Sequence, residues 1–272
     1  MKNKDMIIPI VILSVIVIIS ILAPFISPYD PEKIDMANRL TSYSKEHFLG
    51  TDSLGRDTFS RVIHGGRKSI LLAFLATIIS MMIGTTIGFF SGYYGGKVDM
   101  VVTTVSNVFL GIPGISIMIA FAGALGPSMK SLLIGIVVNS WVGFSRIIRG
   151  EIMNVKNEYF IDGLKSLGAS DFWIFIRHII PNLSDSLIIL FASRIGSVIL
   201  SVAALSYLGL GLQPPEPDWA IMISDARPYF RSNPMLALAP GTCIVIFVWC
   251  VHIIGDNIRD KLDVNGGIND NL

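Results

Sequence analysis

Charged residues are scarce in this sequence: they make up 15% of its 272 residues, against 52% hydrophobic ones, and the mean hydropathy is +0.64. So little charge excludes a soluble or disordered chain and places the protein in the membrane class. A surplus of one sign is missing too, since 21 Lys and Arg stand against 20 Asp and Glu. That balance argues against nucleic acid as a partner, because neutralising phosphates takes a concentrated basic surface. Cysteine is nearly absent. Cys243 and Cys250 lie seven residues apart in an apolar stretch, which on a helix separates them by roughly 10 Å along the axis and rules out a mutual disulfide. They read as small buried apolar side chains.

Enzymatic constellations are lacking as well. The four histidines (His47, His64, His178, His252) are scattered, and neither an H-E-x-x-H nor a G-x-S-x-G arrangement occurs. Gly96-Lys97 imitates part of a phosphate-binding loop, but Ser91 stands where that loop needs glycine and Val98 where it needs Ser or Thr. The expectation is a chain with no catalytic residue, no metal site and no cofactor of its own.

What the sequence does have is long apolar runs. A bilayer span takes about 20 apolar residues, because every backbone polar group must be satisfied within the segment. Six candidates occur, over 6–25, 70–93, 100–125, 131–144, 187–212 and 235–254. The expected fold is therefore all-α with six transmembrane helices. The fourth candidate is short, either a span whose flanking Lys130 and Arg146 reach the interfaces or a re-entrant segment. The first follows Lys2 and Lys4 and reads as an uncleaved anchor, since Ala23-Pro24 is a poor cleavage site. Arg194 is the one charge inside the fifth candidate, and it either marks a functional position or snorkels to lipid phosphate. His252 is expected at a helix end. The chain divides into an anchor and loop over 1–69, a main transmembrane domain over 70–264 and a tail over 265–272.

Six spans put both termini on one side, and Lys2, Lys4, Arg259 and Lys261 make that side the cytoplasm. The stretch 149–185 then also faces the cytoplasm, in keeping with its Arg149, Lys156, Lys165 and Arg177. Residues 28–69 disagree, being external in this scheme yet rich in Lys and Arg.

Two segments carry the functional signal. Between the fourth and fifth spans, 158–182 has the punctuation of two short helices: Gly168 supplies a left-handed residue that ends the first, Ser170 or Asp171 caps the second, and Pro181 breaks the chain before the next span. Phe160, Leu164 and Leu167 line one face of the first of these helices, which suits either a partner's groove or the lipid headgroups. The other segment is His47-Phe-Leu-Gly-Thr-Asp-Ser-Leu-Gly-Arg-Asp57, where Gly50, Thr51, Asp52, Gly55, Arg56 and Asp57 suggest a tightly turned loop with internal carboxylate–guanidinium hydrogen bonds. Near residue 218 an external helix begins, whose Asp225 and Arg227 are expected to make surface or partner contacts.

The 158–182 segment resembles the cytoplasmic E-A-A loop of ABC importer permeases. Asp162-Gly163-Leu164 takes the E-A-A place just after Glu158, and Gly168 and Ile180-Pro181 take the later glycine and leucine–proline. The 47–57 segment is similar to the H-x-L-G-T-D-x-x-G-R-D signature of the C-type permease in the oligopeptide, dipeptide and nickel branch. The resemblance extends over roughly 29–264, through Gly92 to Asp99, Ser206 to Trp219 and Gly255 to Asp263. It implies one permease subunit of an ATP-driven importer in the bacterial plasma membrane. The implied partners are a homologous second permease, two ATPase subunits that use ATP and Mg, an extracytoplasmic substrate-binding protein and membrane lipid. The E-A-A loop would be the coupling helix that docks on the ATPases. Peptides are the expected cargo, with nickel or a metal chelate as the alternative, and a secondary transporter is the rival from another class.

Overall fold

In a computed structural model, which describes residues 4–269, all the regular elements are helices; Lys2 and the last three residues of the expected tail lie outside the described residues. The helices run in chain order α1 (Lys4–Ile26), α2 (Thr58–Tyr94), α3 (Gly96–Gly111), α4 (Gly114–Leu125), α5 (Met129–Lys156), α6 (Tyr159–Ser166), α7 (Asp171–Ile174), α8 (Ile180–Asn182), α9 (Ser184–Tyr207), α10 (Trp219–Ala226) and α11 (Met235–Asn269). Among them α1, α2, α5, α9 and α11 are long and apolar enough to cross a membrane.

The third expected span is broken. α3 and α4 meet at 84° and count as one crossing only if taken together. The cause is local: Pro113 has no N–H to continue the ladder, and it holds Ile112 in an extended conformation (φ −99°, ψ 129°). The fourth, expected to be the short one, is instead a 28-residue helix. Lys130 and Arg146, which flank the run in the sequence, both lie within α5, as do Arg149 and Glu151 beyond it. Arg149 enters because Asp99 of α3 receives its guanidinium through both oxygens, from Nε and, at 2.6 Å, from Nη2. α2 starts at Thr58, twelve residues before the expected span, so the boundary at residue 69 falls inside it. At 37 residues it is about 55 Å long, well beyond a bilayer core of about 30 Å. α11 likewise continues past residue 264, which leaves His252 inside a helix, facing Gly196, and not at a helix end.

The bundle is assembled on a seam between α2 and α5. Gly84, Gly88 and Gly92 fall at intervals of four along α2, below the small residues Ala73, Ala76, Thr77 and Ser80. A methyl group on Gly84 would stand 2.6 Å from the Trp141 carbonyl oxygen, on Gly88 2.8 Å from that of Ser145, and on Gly92 2.8 Å from that of Arg149. Lipid tails are as apolar as leucine, so membrane helices gain by close approach of their backbones, which small residues permit. Around the middle of the seam, Leu72, Leu132, Ile136, Ile199, Leu205 and Phe247 make the main core; at its far end Phe89, Ile148, Ile152, Ile161 and Ile179 make a second.

Gly88→Leu is expected to wedge α2 from α5 and destabilise the protein by about 1–3 kcal/mol or more. Thermal unfolding in detergent checks this, and an unchanged midpoint would mean that the seam is not a close contact.

Candidate functional site

The two segments singled out in the sequence sit at opposite ends of α2. At its Thr58 end, the 47–57 loop folds around Asp52. One carboxylate oxygen accepts the backbone N–H groups of Leu54 (2.8 Å) and Arg56 (3.0 Å); the other accepts Arg56 Nε at 2.6 Å and lies 3.5 Å from Arg61 Nε. Asp57 caps α2, taking the Ser60 N–H (2.8 Å) and hydroxyl (2.6 Å) on one oxygen and facing His47 Nδ1 at 2.9 Å with the other. Gly50 and Gly55 have φ of 73° and 74°, and at each a side chain would run into a carbonyl oxygen, of Thr41 and Asp35 respectively. Thr51 bonds through its hydroxyl to the Asn38 carbonyl and accepts the Thr41 N–H. The six motif residues thus form one internally bonded knot.

α10 closes over this knot. Arg61 donates to the carbonyl oxygens of Pro31 (2.9 Å) and Pro215 (3.3 Å), and Lys68 pairs with Glu216 at 3.1 Å. Trp219 is buried and donates to the Val62 carbonyl at 2.8 Å. Asp218, fully buried, caps α10 by accepting the N–H groups of Ala220 and Ile221, and takes the Ser69 hydroxyl at 2.6 Å. Burial pushes its carboxyl above the ordinary carboxylate range, against the pull of those three donors. Asp225 and Arg227 lie at the surface, as expected, and each also makes a contact within the chain. Asp225 lies 3.6 Å from Arg56, and burial raises its carboxyl although Arg56 and Arg61 oppose that. Arg227 stacks 4.5 Å over the Tyr207 ring. Arg56, Arg61 and Lys68, three of the cations that counted against placing 28–69 outside, are therefore taken up in internal pairs.

At the Tyr94 end lies an elbow built from α6, α7, a π turn at Phe175–Ile179 and α8. Gly168 has φ +81°, and the N–H groups of Gly168 and Ala169 bond to the carbonyls of Lys165 (2.9 Å) and Leu164 (3.1 Å), a Schellman closure of α6. Ser170, not Asp171, caps α7, accepting the Trp173 N–H at 3.3 Å. Asp171 is freed for α2, whose Tyr93 and Tyr94 hydroxyls donate to its two oxygens at 2.7 and 3.2 Å. The Phe89 and Phe175 rings meet at 4.0 Å. The π turn runs directly into α8, whose first turn holds Pro181, and the helical run is interrupted after it, at Leu183, before α9 begins.

The expected apolar stripe on α6 is split between two faces. Ile161 is fully buried and Leu164 packs beside it, whereas Phe160 is 43% and Leu167 85% exposed. Asp162 and Gly163 are exposed, and Glu158 precedes α6 without capping it through its side chain. Tyr159 (93%) and Phe172 (72%) are exposed as well, so the elbow presents several large apolar side chains to its surroundings. The sequence reading missed Tyr93, Tyr94 and Phe175, whose partners lie 77 and more residues away, and the α2 seam, which its G-x-x-x-G spacing did advertise.

Asp52→Ala leaves Arg61 without its carboxylate and Arg56 with Asp225 at 3.6 Å, at a cost of about 3 kcal/mol; limited proteolysis should find 47–57 newly cleavable. Asp218→Asn keeps the cap while removing a buried charge. A carboxyl raised in the folded state adds stability below its unfolded value, near 3.9, and loses it as pH rises through the folded one. The variant should therefore unfold at a higher temperature than wild type at neutral pH, with the gap gone below about pH 4. A gap independent of pH would exclude a buried charge.

Residues 84–264 match the family described as binding-protein-dependent transport system inner membrane component, and residues 1–44 match the N-terminal transmembrane domain of oligopeptide transport permease C. The chain is 37% identical over 262 residues to the dipeptide transport system permease protein DppC of Alkalihalophilus pseudofirmus, covering 96% of this chain and 86% of that one. It is 37% identical over 249 residues to the glutathione transport system permease protein GsiD of Pectobacterium atrosepticum, covering 91% and 83%. A solved inward-facing structure of the MetNI methionine ABC transporter superposes with a TM-score of 0.60 at 15% identity, over 74% of this chain and 96% of that one, which shows a shared fold. The protein belongs to the binding-protein-dependent transport system inner membrane components, the membrane-spanning permease subunits of ABC transporters.

Proposed function

We propose that this chain is one of two permeases in a peptide importer of the bacterial plasma membrane, with its termini and elbow in the cytoplasm. The elbow docks on the ATPase subunits, which bind and hydrolyse ATP, and the opposite end faces the substrate-binding protein. The observation that carries this reading is the exposure of Tyr159, Leu167 and Phe172 on a base welded to α2 and α5. Large apolar side chains left exposed together mark a partner's groove. The buried side, through Ile161, Ile174, Phe175 and Asp171, gives a push on the elbow no soft joint in which to dissipate.

Motion then passes along α2 to the 47–57 knot and α10. Energetically this is a shift between inward- and outward-open populations, driven by partners that bind the two differently. Peptide cargo is supported by the names of the dipeptide and glutathione permeases above and by the oligopeptide-type N-terminal segment. Nothing comparable favours nickel or a secondary transporter.

Purification in mild detergent tests the assembly. Wild type should bring down two ATPases and a second permease, while Leu167→Asp and Gly168→Arg should insert normally yet lose the ATPases. At Gly168 the backbone alone costs about 1–2 kcal/mol, since a side chain there meets open space but must accept the left-handed conformation. Variants that keep their ATPases would refute docking at the elbow. A wild type that recovers none would refute the importer reading.

A further inference from the structure

α5 and α9 share an open face whose chemistry does not suit lipid. On α5, Asn139, Gly143 and Arg146 fall at i, i+4 and i+7, hence on one side. On α9, Ser193, Ser197 and Ser201 recur every four residues with Arg194 beside them, while the opposite side carries the buried Ile195, Ile199 and Val202. Each serine hydroxyl is bonded back to its own helix, at the carbonyls of Leu190, Ser193 and Ser197. Their lone pairs are left for whatever passes.

Arg194 is held in a made place. Its guanidinium lies against Gly143, where a methyl group would stand 2.6 Å from Nη2, and 6.0 Å from the Phe144 ring. Gly143 is one helical turn from Arg146. Among the described residues no carboxylate comes within ion-pair distance of either arginine. Arg194 is ten residues, about 15 Å, along α9 from Ser184, and Arg146 is ten residues from the Lys156 end of α5, so both lie inside helices long and apolar enough to cross a membrane. Cations without a carboxylate inside such helices are costly against hydrocarbon and are retained where an anion or a water-filled path meets them.

We propose that Arg194, with Arg146 beside it, receives the free carboxylate of the transported peptide as it crosses along the α5–α9 face. The proposal rests on the peptide-importer reading and adds its point of chemical contact. A guanidinium and a carboxylate form two parallel charged hydrogen bonds, and the serine lone pairs offer neutral partners to the peptide amides, while Asn139 lies against Gly114 of α4. Substrate carboxylate and lipid phosphate share this oxyanion chemistry, so the experiment separates them.

The complete importer, with both permeases, ATPases and binding protein, is reconstituted in vesicles of phosphatidylethanolamine alone or mixed with phosphatidylglycerol. Uptake is followed for a labelled dipeptide and for its C-terminal amide, each at saturating binding protein, and each variant is divided by wild type so that the binding protein's own preference cancels. Arg194→Gln should lower maximal uptake of the free acid about tenfold, the worth of a charged hydrogen bond, and leave the amide within about twofold. Arg194→Lys should fall between, and half-saturating peptide should not move. Amide uptake doubles as the control for folding. Equal losses on both peptides would overturn the proposal in favour of a packing role, and a loss appearing only with phosphatidylglycerol would assign the arginine to lipid phosphate. No loss at all would also overturn it. Wild-type vesicles that accumulate neither peptide would instead sink the importer reading, and this proposal with it.

Discussion

Close approach of α2 and α5 is the constraint that governs all other packing in the bundle. Three glycines four residues apart let the two backbones touch over some three turns, with carbonyl oxygens of α5 where side chains would otherwise stand. Because the seam has no room to slide, the ends of α2 and α5 are held in fixed relation, and whatever packs on those ends inherits that relation. The second core, from Phe89 and Tyr93 through Ile148 and Ile152 to the elbow residues Ile161, Ile174 and Phe175, is built directly on the lower end of the seam. The Arg149–Asp99 pair ties α3 to the same place.

α2 therefore works as a beam. One end carries the elbow, through the two tyrosine hydroxyls on Asp171 and the closely packed Phe89 and Phe175 rings. The other carries the Asp52 knot and α10, held by Asp218, Trp219 and Arg61. The two motif segments that stand out in the sequence are more than a hundred residues apart and never meet; a single long helix relates them. Both use the same physics, buried or half-buried polar groups bonded within the chain, with Thr58 Oγ1 and Arg61 Nη2 at one end and His178 Nε2 at the other left without a partner. The knot also explains a discrepancy in charge counting: Arg56, Arg61 and Lys68 answer to Asp52, Asp225 and Glu216, and neutralised pairs say little about which side of a membrane a loop occupies.

Where sequence reading and structure part company, a contact explains it. The run 100–125 is uncharged throughout and reads as an unbroken span, yet Pro113 bends it by 84° because the loss of one donor and the extended Ile112 act on the backbone and leave hydropathy untouched. The run 131–144 reads as too short because Lys130 and Arg146 look like its ends; a carboxylate on another helix admits Arg149 beyond it, and a glycine on α5 itself makes room for the arginine of α9. On α6 the i, i+4, i+7 pattern correctly marks an amphipathic helix but misassigns its inner face. Ile161 and Leu164 go inward while Leu167 stays out, since the buried side is chosen by Phe89 and Ile148 on other helices.

Residue chemistry read along the chain is enough to make it helical and membrane-embedded, because hydropathy acts residue by residue and the bilayer demands internally bonded backbone. It is also enough for the local turns: the positive φ of Gly50, Gly55 and Gly168 and the caps at Asp57, Ser170 and Asp218 each depend on neighbours within a few residues. Long-range packing alone settles which apolar side chains of the elbow are buried and which stay exposed, that Asp171 belongs to α2, and that Arg194 and Arg146 share an open face without a carboxylate. Those facts arise from pairs of residues tens to hundreds of positions apart, whose meeting is set by the glycine seam and by no local preference.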